Sequence, residues 1–360
     1  MFTRSQTRLL KIGPLPVGGG APVSVQTMAN VSPRDETALS AQILRCAEAG
    51  ADAVRLTVPD VAAAEVLSKV RRSSPVPLIA DIHFDYRCAL AAIAAGADAL
   101  RLNPGNIGGR ENVRAVARAA AEKRIPIRIG VNGGSLEPGE TLVSSAIKHI
   151  GLLEAEGFRD IAVSVKASDV RRTLAAYREL ASLTDCPLHL GVTEAGTFLR
   201  GTVHSSVALG ILLDEGLGDT IRVSLTDAPE REVRVGLEIL RACNLRSPGP
   251  SVTSCPTCGR TKADVMKTAE MVEVALEKLY RSRGTAERMP HVAVMGCVVN
   301  GPGEAKTADI ALCGGVGEFM LYENGTFTRR FPESEAVMQV IEAVRRFDAA
   351  CGRLEDSEAK

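Results

Sequence analysis

The sequence predicts an α/β protein: a (β/α)8 TIM barrel followed by a smaller α+β domain. Three observations carry this. Over the first 230 residues or so, a short β-branched run, a turn and an alanine-rich helical stretch recur eight times. The β-branched runs carry polar residues at alternate positions near their C-terminal ends. A proline–glycine cluster, Ser247-Pro-Gly-Pro250, then breaks the pattern. Units of roughly 25 to 35 residues joined by right-handed crossovers are what a closed eightfold barrel requires.

The expected strands are Val23–Met28, Ala53–Val58, Pro77–Ile82, Ala99–Asn103, Pro126–Val131, Ile161–Lys166, Leu188–Glu194 and Thr220–Leu225. Amphipathic helices are expected between them, at Glu36–Ala49, Asp60–Ser73, Tyr86–Ala95, Val113–Glu122, Glu140–Glu156, Ser168–Leu183 and Val203–Glu215, with Glu230–Cys243 closing the set. An open doubly wound sheet is the competing topology. It needs a G-x-G-x-x-G loop after a strand, whereas Gly18-Gly-Gly20 precedes the first strand and Gly314-Gly-Val-Gly317 is too short and misplaced.

Two prolines and a glycine in four residues cannot continue a helix, so the domain boundary is placed there, giving domains 1–246 and 247–360. The second domain reads as a strand (Ser251–Ser254), a cysteine turn, a helix (Ala263–Arg281) and a strand (His291–Met295). It continues with a strand (Ile310–Leu312), a hairpin around Asn324-Gly325 and a helix (Glu333–Ala350), before a polar tail from Arg353 to Lys360.

Composition sets the bounds. The 43 basic and 43 acidic residues cancel, so no global field draws the chain to nucleic acid or to an anionic membrane. Neither a signal peptide nor an apolar run of spanning length is evident, and a cytoplasmic protein is expected. Six of the nine cysteines (Cys46, Cys88, Cys186, Cys243, Cys313, Cys351) are scattered and read as small buried hydrophobes.

The polar residues of the barrel strands point to chemistry. Residues two apart share a strand face, which pairs Arg55 with Thr57, Asp81 with His83, Arg101 with Asn103, Arg128 with Asn132 through Gly130, Ser164 with Lys166, and Arg222 with Ser224. Each pair falls toward the C-terminal end of its strand, where barrels keep their active sites. Five cations, Arg55, Arg101, Arg128, Lys166 and Arg222, face few carboxylates, Asp81 and Glu194. Unpaired burial would cost several kcal/mol per charge, so a solvated mouth built for a phosphate or diphosphate is expected.

The remaining cysteines lie in two glycine-rich turns, Cys255-Pro-Thr-Cys258-Gly-Arg and Met295-Gly-Cys297-Val-Val-Asn300-Gly-Pro-Gly-Glu304. A C-x-x-C pair alone fits a redox dithiol, half a zinc site or part of an iron–sulfur site. Cys297 with Glu304 close behind favours a [4Fe–4S] cluster with one exchangeable oxygen ligand. A zinc-stabilised module on a barrel that only captures phosphorylated ligands stands as the alternative function.

These segments together resemble the 4-hydroxy-3-methylbut-2-enyl diphosphate synthase family in its bacterial two-domain form. The run Gly296-Cys-Val-Val-Asn-Gly-Pro-Gly-Glu304 is the most specific. Cys255-Pro-Thr-Cys258, Val54-Arg-Leu-Thr57, Ala80-Asp-Ile-His83, Arg101-Leu-Asn-Pro104, Arg128-Ile-Gly-Val-Asn132 and Arg222-Val-Ser224 extend the likeness over nearly the whole chain. The resemblance implies reductive opening of 2-C-methyl-D-erythritol 2,4-cyclodiphosphate at a [4Fe–4S] cluster, on the route to isoprenoids. It implies Cys255, Cys258 and Cys297 as iron ligands, with Glu304 on the fourth iron. Arg55, Arg101, Arg128, Lys166, Arg222 and Ser224 would grip the diphosphate, with Asp81 and Asn132 nearby, Glu194 as acid/base and Asn300 beside the cluster. It further implies a ferredoxin or flavodoxin electron donor and a head-to-tail homodimer. One departure is His204, where many members carry lysine; His204 and His83 are left off the site.

Overall fold

A computed structural model describes residues 3–246, 251–281, 289–297, 303 and 305–352. The chain forms two compact units, Met1–Arg246 and Ser247–Lys360.

The first unit is the predicted barrel. Its strands are β3 (Ser24–Met28), β4 (Ala53–Thr57), β5 (Leu78–Asp81), β6 (Ala99–Leu102), β7 (Ile127–Asn132), β8 (Ile161–Lys166), β9 (His189–Leu190) and β10 (Thr220–Ile221). They run parallel in the order β8-β7-β6-β5-β4-β3-β10-β9, and a parallel bridge between Val163 and Leu188 joins the two ends. The helices are α1 (Glu36–Glu48), α2 (Val61–Ser73), α3 (Tyr86–Ala94), α4 (Arg110–Lys123), α5 (Leu142–Glu154), α6 (Val170–Ala181), α7 (Phe198–Asp214) and α8 (Pro229–Ala242). Aspartates set several helix starts: Asp35, Asp60, Asp85 and Asp169 each accept a backbone N–H from the first turn. Such caps satisfy a donor that the helix itself cannot.

Two features differ from the expected elements. A hairpin precedes the barrel, β1 (Leu10–Ile12) and β2 (Leu15–Val17), and its Ile12 and Val17 pack against Ala53, Ile79 and Ala99 to seal the N-terminal end. The last two barrel strands are only two residues long, shorter than Leu188–Glu194 and Thr220–Leu225. Beyond them single backbone bonds continue, from the Arg222 N–H to the Leu190 carbonyl and from the Thr193 N–H to the Ala167 carbonyl.

Outward-facing residues of the strands, Val54, Leu56, Leu100, Ile127, Ile129 and Val163 among them, form one large core with the inner faces of the helices. The inward positions are therefore free to carry polar groups.

The second unit is a five-stranded sheet in sequence order: β11 (Ser251–Ser254), β12 (His291–Met295), β13 (Ile310–Gly314), β14 (Glu318–Glu323) and β15 (Thr326–Pro332). The first three are parallel and the last pairings antiparallel. Helices α9 (Val265–Arg281) and α10 (Ala336–Ala350) share its core with Val292, Val294, Leu312, Phe319 and Leu321.

Candidate active site

The inward polar residues meet at the C-terminal end of the barrel. Register brings Thr57 opposite Asp81, Asp81 opposite Arg101, and Asn132 opposite Lys166. Asp81 is 2% exposed and lies between two guanidiniums, with Arg101 Nη1 at 3.3 Å and Arg55 Nε at 3.7 Å. Burial alone would raise its pKa, but Arg55 and Arg101 outweigh that and hold the carboxyl below its usual range. His83 Nε2 approaches the same carboxylate at 3.7 Å.

Arg101 also donates from Nη2 to the Gly130 carbonyl at 2.7 Å, crossing the strand where a Cβ at Gly130 would collide with its guanidinium. Asn103 Oδ1 accepts the Gly130 N–H at 3.0 Å. Lys166 is buried, and its Nζ fills the space that a Cβ at Gly191 would occupy, 2.7 Å away. Both glycines are therefore where they are because a cationic side chain lies against their Cα.

Burial, followed by the nearby arginines, pushes the Lys166 ammonium well below the usual lysine value. Burial likewise lowers Arg55 to about 10 and Arg128 well below its ordinary value. Arg128 is the deepest of the five cations. It donates to Gln26 and borders a small internal space lined by Ile12, Val17, Gln26 and Thr220, toward the sealed end. Half-buried Ser224 follows Arg222 at the rim, two residues along the chain.

Glu194 stands apart from this group. It lies four residues beyond β9 with left-handed backbone (φ 53°) and an exposed side chain, in a cleft between α6 and α7 that Arg171, Arg200 and His204 also line.

A second carboxylate, besides Asp81, pairs with a mouth cation, and the sequence reading does not single it out. Glu232, on α8 and 3% exposed, accepts from Arg222 Nη2 at 3.1 Å, from Thr27 Oγ1 at 2.8 Å and from the Leu225 N–H at 2.9 Å. A signal existed: Glu232 shares the buried stripe of α8 with Pro229, Val233, Gly236 and Leu240, where an unpaired carboxylate is not tolerated. His189 was also missed. It is buried inside the barrel beside Thr220 Oγ1 at 3.4 Å, and burial holds it well below the usual histidine range. Asp81 and Glu232 are the carboxylates that pair with these side chains among the described residues, so the basic groups outnumber their acidic partners.

The cysteine turns sit at the ends of neighbouring strands of the second unit. Cys255 follows β11 and donates its backbone N–H to Val294 on β12, while its Sγ accepts the Gly296 N–H at 3.2 Å. The Lys262 N–H bonds back to the Gly296 carbonyl, stitching the Cys255–Lys262 segment to the start of the Cys297 turn. Hydrogen bonds from Arg260, backbone first and then side chain, hold the exposed Cys258 thiol below its usual range. Cys313, buried on β13, is the opposite case, pushed up to about 12 chiefly by burial, and so stays a thiol.

Among the described residues, no three Cys, His, Asp or Glu side chains stand together as a ready metal group. Asn300 and Glu304 lie outside the described residues. The chemistry of the donors nevertheless fits an iron–sulfur cluster: thiols on two turns tied together by hydrogen bonds, and an N–H already directed at sulfur.

A family model described as the GcpE TIM-barrel domain matches residues 7–237, and one described as the GcpE protein C-terminal domain matches residues 251–346. The chain belongs to the GcpE family. Two curated relatives, from Geobacter sulfurreducens and Maridesulfovibrio salexigens, carry the name 4-hydroxy-3-methylbut-2-en-1-yl diphosphate synthase (flavodoxin). The first is 50% identical over 353 residues, covering 95% of this chain and 98% of the relative. The second is 50% identical over 348 residues, covering 94% and 95%. Among solved structures, a Yersinia pestis dihydropteroate synthase is similar at a TM-score of 0.50 and 15% identity, over 66% of this chain and 98% of that one. That likeness concerns the barrel fold alone. Among the described residues, no helix is long and apolar enough to cross a membrane.

Proposed function

We infer that this GcpE-family chain is a 4-hydroxy-3-methylbut-2-en-1-yl diphosphate synthase. It opens the ring of 2-C-methyl-D-erythritol 2,4-cyclodiphosphate reductively, with two electrons and two protons taken up and one water released, on the way to isoprenoid precursors. The observation that carries the reading is near-full-length identity to synthases of that name, in a barrel whose mouth holds more basic groups than acidic partners.

In this reading Arg55, Arg101, Lys166, Arg222 and Ser224 bind the diphosphate. Guanidiniums take phosphate oxygens two at a time, while the lysine supplies a point charge. Arg128 adds positive potential from below, and Asn132, opposite Lys166 in register, offers an amide to a substrate hydroxyl. Asp81 keeps Arg55 and Arg101 aimed into the mouth. Glu194, on the rim, is assigned the acid/base role, passing a proton to the departing hydroxyl. A [4Fe–4S] cluster held by Cys255, Cys258 and Cys297, with Glu304 as exchangeable ligand and Asn300 beside it, would supply one-electron transfer and Lewis acidity.

Flavodoxin is the proposed electron donor, the cytoplasm the proposed compartment and a head-to-tail homodimer the proposed assembly. Two results test the whole reading. Anaerobically purified protein should show a broad absorption near about 400 nm and convert the cyclic diphosphate when given reduced flavodoxin. Colourless protein with one zinc per chain and no turnover would overturn it.

A further inference from the structure

Met28 ends β3 in register with Arg55, and its half-buried side chain reaches into the mouth. Its Sδ lies 2.7 Å from Arg55 Nη2 and 3.2 Å from Arg55 Nε, with Arg222 Nη1 at 3.9 Å. Two mutually repelling guanidiniums thus converge on one uncharged acceptor. We propose that Met28 is a positioning residue for the diphosphate grip: its thioether orients Arg55 and Arg222 in the empty barrel and gives way to phosphate oxygens when substrate binds.

The chemistry of the acceptor is the argument. Asp81 and Glu232 also orient these arginines, but a carboxylate takes up the positive charge that the substrate needs. A thioether is a weak, neutral acceptor, so it holds a guanidinium without neutralising it and loses to an anionic oxygen. Methionine is also unbranched with three rotatable bonds, so the sulfur can swing aside with little rearrangement. Leucine would fill the same space with no acceptor, and glutamine would restore an uncharged one.

This inference rests on the proposed diphosphate substrate, and the test separates the two. Affinities for inorganic pyrophosphate and for the cyclic diphosphate are measured by calorimetry on wild type, Met28→Leu and Met28→Gln, alongside KM and kcat. Met28→Leu is expected to bind both ligands about 5- to 10-fold more weakly, with KM raised by the same factor and kcat within about twofold, the pattern of lost binding that is uniform through the reaction. Met28→Gln is expected within about twofold of wild type. Wild-type affinity in Met28→Leu overturns the proposal, as does equal weakening in both variants, which would make the role one of shape. If Met28→Leu fails to fold by circular dichroism, Met28→Gln decides: near-native affinity supports the role and lost affinity overturns it. Wild-type protein that binds pyrophosphate but neither binds nor converts the cyclic diphosphate sinks the functional reading, while the pyrophosphate series still judges Met28.

Discussion

Glu232 on α8 reaches across to Arg222 beyond β10, Oε1 to Nη2 at 3.1 Å, and the same carboxylate takes the Thr27 hydroxyl and the Leu225 N–H. One side chain therefore fastens β3, the rim after β10 and the helix that packs on both. Removing it strands a partly buried guanidinium, a hydroxyl and a backbone donor at once. Glu232→Ala should cost about 3 kcal/mol of stability, near the lower end for a broken buried pair because Arg222 keeps some solvent. Glu232→Gln, which can keep two of the contacts, should cost less. Denaturant melts check this, and an unchanged midpoint in Glu232→Ala would show the pair to be incidental.

Glu232 also marks where sequence reasoning stops. The barrel was legible because its signals are local: β-branched runs, alanine-rich helical stretches, and period-two alternation that put Arg55, Asp81, Arg101 and Lys166 on inward faces. The pairing of Arg222 with a residue on the next helix depends on how α8 docks, which no window of strand sequence contains. The hairpin Leu10–Val17 escaped notice because its strands are three residues each, too short for periodicity to register. Glu194 was expected at a strand end, but β9 stops at Leu190, and the left-handed turn at Glu194 carries it to the rim cleft.

Lys166 should make ligand binding depend on pH. Burial and the arginines lower its pKa in the free protein, and a bound diphosphate would raise it again. Below the lowered pKa the ammonium is charged in both states and affinity is full. As pH rises through that value, binding must take up a proton and affinity falls, by up to tenfold per pH unit. Folding runs the other way: the unfolded chain holds this proton more tightly, so stability rises with pH across the same window. Pyrophosphate affinity measured over the pH range below the ordinary lysine value should fall relative to that of Lys166→Arg, whose charge persists. A wild-type profile parallel to that of Lys166→Arg would remove Lys166 from the grip.

The cysteines should separate from Glu304. Cys255→Ser, Cys258→Ser and Cys297→Ser are each expected to lose most cluster iron and the absorption near about 400 nm, because no nearby side chain replaces a thiolate. Buried, protonated Cys313 is no substitute for any of them. Glu304→Ala removes the proposed exchangeable oxygen ligand, so iron should survive better than turnover does. Full iron in any one serine variant would strike that cysteine from the set.

The last expectation joins the two units through the proposed dimer. Four residues, Ser247-Pro-Gly-Pro250, separate Arg246 from the strand that begins at Ser251, and two of them are prolines, so the connection has little reach. If the cluster domain of one subunit serves the barrel of the other, two defective chains can complement. Arg101→Ala should weaken substrate binding by about 2 to 5 kcal/mol, since it removes a charge that Asp81 and the Gly130 carbonyl now aim. Cys297→Ser should lack the cluster. Neither parent is active, yet a mixed dimer pairs one intact barrel with one intact cluster domain. Co-expressed chains carrying different tags, purified through both, should recover up to about half the wild-type activity per dimer, because one of two sites is whole. Mixed dimers verified by mass spectrometry that stay inactive would mean that each chain builds its site alone.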